Sequence, residues 1–258
     1  MYQDILVEKG PDFVAEISFN RPERLNTFTT VTARELYEAL AEFEADPEVR
    51  VIVIKGQGRA FCAGIDLGEF FGQSATSYKT WVEGMELPLA YISEMNKPVI
   101  ASVKGVAAAN GGGLVAAADL AICSERARIG YTAVNVGLFC LGPAVPLARV
   151  LGRKRSLELL LYGELITAQK ALEMGLVNRV VPDDELEQAT REWAVSLAAR
   201  SPLAVQMGKR AFYAMSDMDY QTSFEYMNEV FARLCTTKDA EEGVKAFKEK
   251  RDPVYRGE

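Results

Sequence analysis

The chain has 258 residues, of which 49% are hydrophobic and 25% charged, the composition of an ordinary globular protein with a substantial core. Its formal net charge of −7 leaves no basic excess to neutralise nucleic-acid phosphates, so we predict no nucleic-acid partner. The sequence contains no histidine, which excludes Ser-His-Asp and Cys-His nucleophilic sites and every histidine metal site.

The sequence also contains no recognisable targeting or membrane segment. No apolar run approaches the ~20 residues of a membrane span, and the first residues, MYQDILVEKGPDF, resemble neither a secretory signal nor a transit peptide. The four cysteines lie far apart and form no CxxC pair, which is typical of reduced, buried thiols. We therefore predict a cytoplasmic protein without a membrane partner and without a metal site.

The first two-thirds of the chain have the pattern of an α/β protein. Residues 13–19 alternate with period two, which predicts a half-buried strand, and Thr30 is the predicted N-cap of the next helix. A continuous β-branched run at 51–54 predicts a fully buried strand. Further strands are predicted at 99–103 and 121–123, and helices at 77–93 and from about 112 to 118.

From about residue 143 onward the pattern is mostly helical. Helices are predicted to begin at 182–186 and at Ser201-Pro202, with proline at the first helical position. We predict a core at residues 1–200 and a C-terminal helical region at 201–258. Aromatic and methionine residues of that region favour a homo-oligomer interface, although an ordinary helical core explains them equally well. These residues are Phe212, Tyr213, Met215, Phe224, Tyr226, Met227 and Phe231.

Two strand-to-loop junctions are rich in small residues. Residues 60–67 (AFCAGIDL) follow the first buried strand, and residues 105–114 (GVAAANGGGL) follow the second. Loops after the carboxyl ends of buried strands bind ligands in α/β proteins, and a helix beginning near residue 111 points free N–H groups into such a cleft. Two such loops would supply two donors to one thioester oxygen, but glycine runs are also common in ordinary loops. Neither loop matches a nucleotide-phosphate motif.

Short stretches over nearly the whole chain form an ordered series. They are NRPERLN at 20–26, RAFCAGIDL at 59–67, KPVIA at 97–101 running into the Gly105 loop and Asp119, Gly137, TAQKA at 167–171 through GLV at 175–177, and FKEKRDP at 247–253. In this order and spacing they resemble the crotonase (enoyl-CoA hydratase/isomerase) superfamily. Residues 135–143 resemble its enoyl-CoA hydratase domain-containing subgroup.

The resemblance implies an α/β fold, a spiral of ββα units with a C-terminal helical trimerisation region, assembled as homotrimers or dimers of trimers. It places two oxyanion-hole donors at the main-chain N–H groups of Ala63 and Asn110. Coenzyme A is part of the substrate in this family, so no separate cofactor is expected. The implied acyl-CoA contacts are Arg24, Ala63, Gly64, Ile65, Asp66, Leu67, Asn110 and, from a neighbouring subunit, Lys250. A solvated surface role explains Arg24 and Lys250 equally well, and Asp66 is expected to be structural or to contact CoA.

The sequence departs from the family at the acid–base residues. Family hydratases use two glutamates, and an ungapped count from Asp119 places them at Gly113 and Ala133, neither of which can transfer a proton. Tyr131 is one candidate replacement. Glu83 and Glu86, on the helix that often roofs the acyl pocket, are others, although exposed helix carboxylates are the commoner explanation. Cys140 is more typical of a small buried residue than of a nucleophile, because no histidine activates it.

These observations predict an acyl-CoA thioester enzyme of enoyl-CoA hydratase/isomerase type that stabilises a thioester enolate. Each general acid–base group typically contributes about 10²–10⁴-fold, so we do not expect an efficient crotonyl-CoA hydratase. One alternative is an acyl-CoA decarboxylase or hydrolase variant, since decarboxylation needs enolate stabilisation and no strong base. A second alternative, from another class, is a catalytically degenerate acyl-CoA-binding protein.

Overall fold

Strands and helices alternate through the first half of the chain, which confirms the predicted α/β class. The computed structural model describes residues 2–70 and 72–258. The elements of the first half are β1 (Ile5–Lys9), β2 (Val14–Phe19), α1 (Thr30–Ala45), β3 (Val51–Gly56), α2 (Ala75–Glu94), β4 (Val99–Val103), β5 (Val106–Ala108), α3 (Asn110–Ala117), β6 (Leu120–Ser124) and β7 (Arg128–Gly130). Short 3-10 helices lie at Pro22–Arg24, Leu67–Glu69 and Thr132–Val136.

Helices dominate the second half. Its elements are α4 (Leu141–Tyr162), β8 (Leu165–Thr167), α5 (Ala168–Met174), β9 (Arg179–Val181), α6 (Leu186–Ala198), α7 (Pro202–Met215), α8 (Tyr220–Leu234) and α9 (Lys238–Glu249). The short strands β8 and β9 were not predicted, because three residues are too few to show a period in the sequence.

The strands form two sheets. The larger sheet has the order β1-β2-β3-β4-β6-β9 in the described residues, with β1 antiparallel to β2 and the other neighbours parallel. The smaller sheet has the order β5-β7-β8, with β5 and β7 parallel and β8 antiparallel to β7. Parallel neighbours require long crossover connections, which here contain helices.

A strand–strand–helix unit repeats along the chain. In one unit β4 joins the larger sheet, β5 joins the smaller sheet, and α3 follows; β6, β7 and α4 repeat the pattern. The segment from β3 to α2 begins the series, and an isolated bridge between Cys62 and Ala107 stands where its second strand would be. This repetition confirms the predicted spiral of ββα units.

The central strands of the larger sheet are buried on both faces. Ile52 and Ile54 pack into the main core, whereas Val51 and Val53 pack with Leu186 of α6 in a second cluster. Burying an aliphatic side chain fully contributes about 1.5–3 kcal/mol, so these strands are held firmly. The loops at their carboxyl ends therefore begin from fixed points.

Several predicted boundaries differ from the observed ones. The N-cap of α1 is Thr29 rather than Thr30, because the Thr29 side chain accepts the Thr32 N–H. The helix predicted to begin at 182–186 begins at Leu186, after a turn closed by a 3.1 Å hydrogen bond from Glu185 N–H to Pro182 O. Pro202 is confirmed as the first residue of its helix, and Ser201 is the N-cap. Three of the cysteines are buried as expected, but Cys235 is exposed.

The C-terminal helices leave apolar surface uncovered. Among the described residues α8 contains no buried side chain, and Phe224 and Phe231 are 55% and 68% exposed. The helix α7 is tied to the core by an ion pair between Lys209 and Asp119, 2.8 Å apart. The division at residue 200 stays a prediction. Within residues 2–70 and 72–258, no helix combines the length and apolar character that crossing a membrane requires.

Candidate active site

Residues 60–66, here called the first turn, lie between two other segments. On one side Cys62 N–H donates to Val106 O (3.1 Å) and Cys62 O accepts Ala108 N–H (2.9 Å). On the other side Ala63 N–H donates to Leu25 O (3.1 Å). The first turn is thus held between the segment after β2 and residues 105–110, here called the second turn.

Glycines allow the two turns to approach closely. Gly64 has φ 99°, and a Cβ built on it would lie 3.0 Å from the Ala109 Cβ and 3.2 Å from the Ala108 oxygen. A Cβ on Gly111 would collide with the Cys62 oxygen. The small residues noted in the sequence therefore serve a contact between the turns, as the prediction of two neighbouring loops requires.

The amide of Ala63 is already bonded to Leu25 O, so the structure contradicts its predicted role as a free donor. No main-chain oxygen of the described residues accepts the N–H of Ala60, Gly64 or Ile65 in the first turn, and of these Ile65 is the candidate donor because it directly follows the residue that meets Ala109. The residues on either side of Ile65 bond to Phe28, through Gly64 O (2.8 Å) and Asp66 N–H (3.0 Å). The alternation of an extended strand therefore turns the Ile65 N–H away from Phe28, and none of the described residues accepts it.

Asn110 is the first residue of α3. Its N–H is one of the amides at the start of a helix that have no acceptor within that helix. The first bond of α3 runs from Gly113 N–H to Ala109 O (2.8 Å), and no described residue accepts the Asn110 N–H. Ile65 and Asn110 each follow one member of the Gly64–Ala109 contact. The Ile65 and Asn110 amides, both without an acceptor in the described chain, therefore belong to residues adjacent to the same point of contact.

The backbone before Asn110 is strained. Ala109 has φ 47° and ψ −110°, a conformation that an L-residue rarely adopts. Its N–H donates to Gly130 O (2.9 Å), which fixes the residue from the neighbouring unit. The Asn110 side chain is only 3% exposed and makes no hydrogen bond within the described chain. The strained backbone of Ala109 makes this turn a candidate functional site.

The positions expected for the family glutamates carry no acid. A Cβ on Gly113 would lie 2.8 Å from Leu89 Cδ2 and 2.9 Å from Pro143 Cβ, so apolar side chains occupy the space beside this residue. Ala133 is partly buried in the Thr132–Val136 turn, where it packs against the main core.

Tyr131 is fully buried, and its hydroxyl donates to Gly112 O at 2.9 Å. Burial raises the pKa of Tyr131 above its usual value. Burial also raises the pKa of the Cys140 thiol, with the nearby Ala133 N–H as the opposing effect. A phenol with a bonded proton and a raised pKa is a poor acid and a poor base, so these contacts favour structural roles for both residues.

Asp66 is held by structural contacts. Its carboxylate accepts Gly68 N–H (3.0 Å), Thr27 Oγ1–H (3.1 Å) and Arg21 Nη2–H (3.2 Å), and these bonds lower the pKa of Asp66. An ionised carboxylate with several donors is a stable N-cap rather than a proton donor. Leu67 beside it is 46% exposed.

The two basic residues predicted to contact coenzyme A, Arg24 and Lys250, lie in different parts of the chain. Arg24 is exposed, has no ion pair within the described chain, and directly precedes Leu25, whose oxygen holds the first turn. Lys250 is also exposed and caps the end of α9 with φ 54°. Arg24 lies beside the first turn of its own chain. Lys250 was predicted to contact the ligand of a neighbouring subunit, and a single chain does not test that prediction.

Of the two carboxylates on α2, Glu83 is exposed and lies 3.5 Å from Lys79. Glu86 is half-buried, and its carboxyl group lies against Gly142 at the start of α4. Burial raises the pKa of Glu86, and the Gly142 N–H partly offsets that rise. The sequence shows both carboxylates on one helix, but only the structure separates the exposed one from the half-buried one.

The repeated strand–strand–helix spiral with its neighbouring turns defines a protein of the crotonase fold. The structure matches an enoyl-CoA hydratase from Mycobacterium smegmatis with a TM-score of 0.95 and 35% identity, over 98% of this chain and 99% of that one. A putative enoyl-CoA hydratase from Thermus thermophilus is 36% identical over 257 residues, covering 97% of this chain and 100% of the relative. The rat mitochondrial enoyl-CoA hydratase domain-containing protein 3 is 35% identical over 95% of this chain and 82% of its own.

The family model for enoyl-CoA hydratase/isomerase matches residues 9–258. The chain therefore belongs to the enoyl-CoA hydratase/isomerase family, as the ordered sequence stretches predicted.

Proposed function

We propose that the chain binds an acyl-CoA thioester and holds its carbonyl oxygen with the N–H groups of Ile65 and Asn110. The observation that supports this proposal is the pair of unpaired amides beside the Gly64–Ala109 contact. Such donors bind an enolate oxygen more strongly than a neutral carbonyl, and each contributes about 2.7–4 kcal/mol to the transition state. The proposal keeps Asn110 from the sequence prediction and replaces Ala63 with Ile65.

The reaction that we propose begins with enolate formation at the thioester. Efficient hydration of crotonyl-CoA is not part of the proposal, because Gly113 and Ala133 offer no carboxylate. Leu89 and Pro143 fill the space that a side chain at residue 113 would need.

Decarboxylation of a malonyl-CoA-like substrate is a second candidate. The departure of CO₂ leaves the enolate directly, so the step needs an oxyanion hole but no base. The apolar contacts beside Gly113 favour it, because an apolar surrounding destabilises a substrate carboxylate relative to neutral CO₂. Release of CO₂ from malonyl-CoA, set beside deuterium exchange at the α-carbon of butyryl-CoA in D₂O, distinguishes the two reactions. Binding without turnover of any acyl-CoA would support a degenerate binding protein instead.

The proposal extends to the coenzyme A moiety and to the assembly. Arg24 is exposed beside the first turn without an ion pair, which leaves it free for a phosphate. The uncovered apolar side chains of α8 support a homotrimer or a dimer of trimers, in which Lys250 of a neighbouring subunit reaches the same ligand. We place this assembly in the cytoplasm, with coenzyme A supplied by the substrate. Sedimentation of the wild-type protein tests the assembly.

Substitution of Asn110 tests the oxyanion hole. Proline at the first position of a helix breaks no helical bond, but its ring adds strain to the Ala109 backbone before it, so circular dichroism must first show that Asn110→Pro is folded. Asn110→Pro removes the proposed donor, and Asn110→Gly, which keeps the N–H and removes the same side chain, is the matched control. We expect acetoacetyl-CoA to bind to the wild-type protein and to Asn110→Gly as its enolate, seen by the enolate absorbance, and at least tenfold more weakly to Asn110→Pro. If folded Asn110→Pro forms the enolate as well as the wild-type protein does, the proposed oxyanion hole is contradicted.

A further inference from the structure

Glu86 lies on the face of α2 that meets the rest of the protein. Met85, Pro88 and Leu89 around it are buried, and Glu86 itself is half-buried. It makes no ion pair within residues 2–70 and 72–258. A half-buried carboxylate without a cation is costly, so its position calls for an explanation beyond solvation.

The Glu86 carboxyl group lies against the first turn of α4. A Cβ on Gly142 would collide with Glu86 Oε1 and Cδ, so residue 142 must be glycine for the carboxyl group to lie there. The Gly142 N–H lies close enough to the carboxylate to favour its charged form. A carboxylate can accept bonds at both oxygens, and Gly142 accounts for one donor only.

The same region borders the position where the family places an acid. A Cβ on Gly113 would meet Leu89, one helical turn after Glu86, and Pro143, the residue after Gly142. Glu86 on α2 and Gly113 on α3 therefore lie on either side of the same group of neighbours, Leu89 and the Gly142–Pro143 segment. Gly113 lies three residues after Asn110 on α3, a rise of about 4.5 Å along the helix axis.

We propose that Glu86 is the catalytic acid–base residue that exchanges a proton with the α-carbon of the bound thioester, in place of the acid missing at Gly113. The inference rests on the proposed function and names the group that completes it. The Glu86 carboxylate accepts the α-proton, and the C–H electron pair forms the enolate C=C bond. The carbonyl π pair moves onto the oxygen that Ile65 and Asn110 bind. In reverse, the Glu86 carboxylic acid returns the proton to carbon.

The environment of Glu86 suits this role. Burial raises its pKa, with the Gly142 N–H as the opposing effect. A carboxylate of raised basicity is a better acceptor of a carbon-bound proton than a solvated one. The alternative role for Glu86 is to cap α4 through Gly142, and a glutamine can make that same hydrogen bond through its carbonyl oxygen.

Glu86→Gln separates catalysis from capping. The probe is butyryl-CoA in D₂O, with deuterium at the α-carbon measured by mass spectrometry. We expect exchange with the wild-type protein and a loss of about 10²-fold or more in Glu86→Gln, following the usual contribution of a general base. Glu83→Gln is the matched control on the same helix, because Glu83 is exposed and pairs with Lys79, and it should exchange normally.

Two further measurements make the result decisive. Thermal unfolding of Glu86→Gln should match the wild-type protein, and acetoacetyl-CoA should still bind as the enolate. Unchanged deuterium exchange in Glu86→Gln, or no exchange in a wild-type protein that binds acetoacetyl-CoA, overturns the role of Glu86 and leaves the oxyanion hole intact. Failure of the wild-type protein to bind acetoacetyl-CoA at all would overturn the proposed function as well.

Discussion

Gly64 and Ala109 touch where the two turns meet, with only 3.0 Å between the Ala109 Cβ and the position that a Cβ on Gly64 would take. The contact joins residues 45 positions apart in the sequence, and each is followed by an amide without a partner in the described chain. The spacing of the proposed donors therefore depends on the absence of a single methyl group.

Gly64→Ala is expected to separate the turns. The new methyl group would crowd Ala109, and an alanine at φ 99° adds backbone strain of about 1–3 kcal/mol. We expect a lower unfolding free energy in urea and at least tenfold weaker binding of acetoacetyl-CoA. Gly208→Ala in α7 is the control, since no atom lies within 4 Å of its added Cβ. A Gly64→Ala protein with wild-type affinity would show that the contact does not position the donors.

Ala109→Gly should stabilise the protein. The backbone strain of a non-glycine residue at φ 47° and ψ −110°, the conformation of Ala109, typically destabilises the folded state by about 1–3 kcal/mol. A glycine in its place loses more chain entropy on folding, which costs about 0.5–1 kcal/mol. We expect a net gain of about 1 kcal/mol in urea unfolding. Ala108→Gly, one residue earlier in the strand β5, has no such strain to relieve and should lose stability. If both variants lose stability equally, Ala109 is not strained.

Tyr131→Phe tests whether the buried phenol takes part in chemistry. The substitution removes the 2.9 Å bond to Gly112 O and leaves the ring in place. We expect a loss of about 0.5–1.5 kcal/mol in unfolding free energy, the usual value for one hydrogen bond. Deuterium exchange into butyryl-CoA should be unchanged. A fall in exchange without a fall in stability would restore Tyr131 as the acid–base candidate.

The sequence predicted the general position of the site better than its individual atoms. The strand predicted at 99–103 was found with those bounds, and the loops after it and after β3 meet as expected. Sequence order could not show which amide of the first turn is free, because that depends on the pairing of Ala63 with Leu25 and of its neighbours with Phe28. Such pairing joins segments about 40 residues apart, and no local pattern encodes it.

The sequence was equally unable to identify which carboxylate of α2 is a candidate acid–base residue. The sequence places Glu83 and Glu86 on one helix but does not show which one faces the protein. A helix of period 3.6 separates residues three apart by only about 60° around its axis, so burial depends on the neighbouring element. Here Gly142 of α4 makes the difference, since only a glycine leaves room for the Glu86 carboxyl group.

The C-terminal tail should detach in acid. Glu242 accepts two hydrogen bonds from Arg251 (2.6 and 2.9 Å) and the Val254 N–H (2.9 Å), and these bonds lower its pKa from 4.5 to about 2. Because the pKa of Glu242 is lower in the folded state, the stabilisation that its ionised carboxylate gives the tail is complete above pH 4.5. This stabilisation is lost as the pH falls toward about 2. We expect amide exchange at Val254, corrected for intrinsic rates, to accelerate over that range.

Glu242→Gln should make Val254 exchange rapidly at neutral pH and remove most of the pH dependence. Glu241→Gln, an exposed neighbour on α9, should leave the wild-type profile in place. A pH profile that survives in Glu242→Gln would assign the acid sensitivity to another group.

Gly113→Glu should not restore an ordinary hydratase. The added side chain must pass Leu89 Cδ2 at 2.8 Å and Pro143 Cβ at 2.9 Å, and overpacking of this kind typically costs about 1–3 kcal/mol. We expect reduced stability and no gain in crotonyl-CoA hydration. Removing the obstruction with Leu89→Ala should make the double variant more stable than the sum of the single changes predicts, because the two positions share one space. Strict additivity in urea unfolding would mean that Leu89 does not occupy the space a residue-113 acid would need.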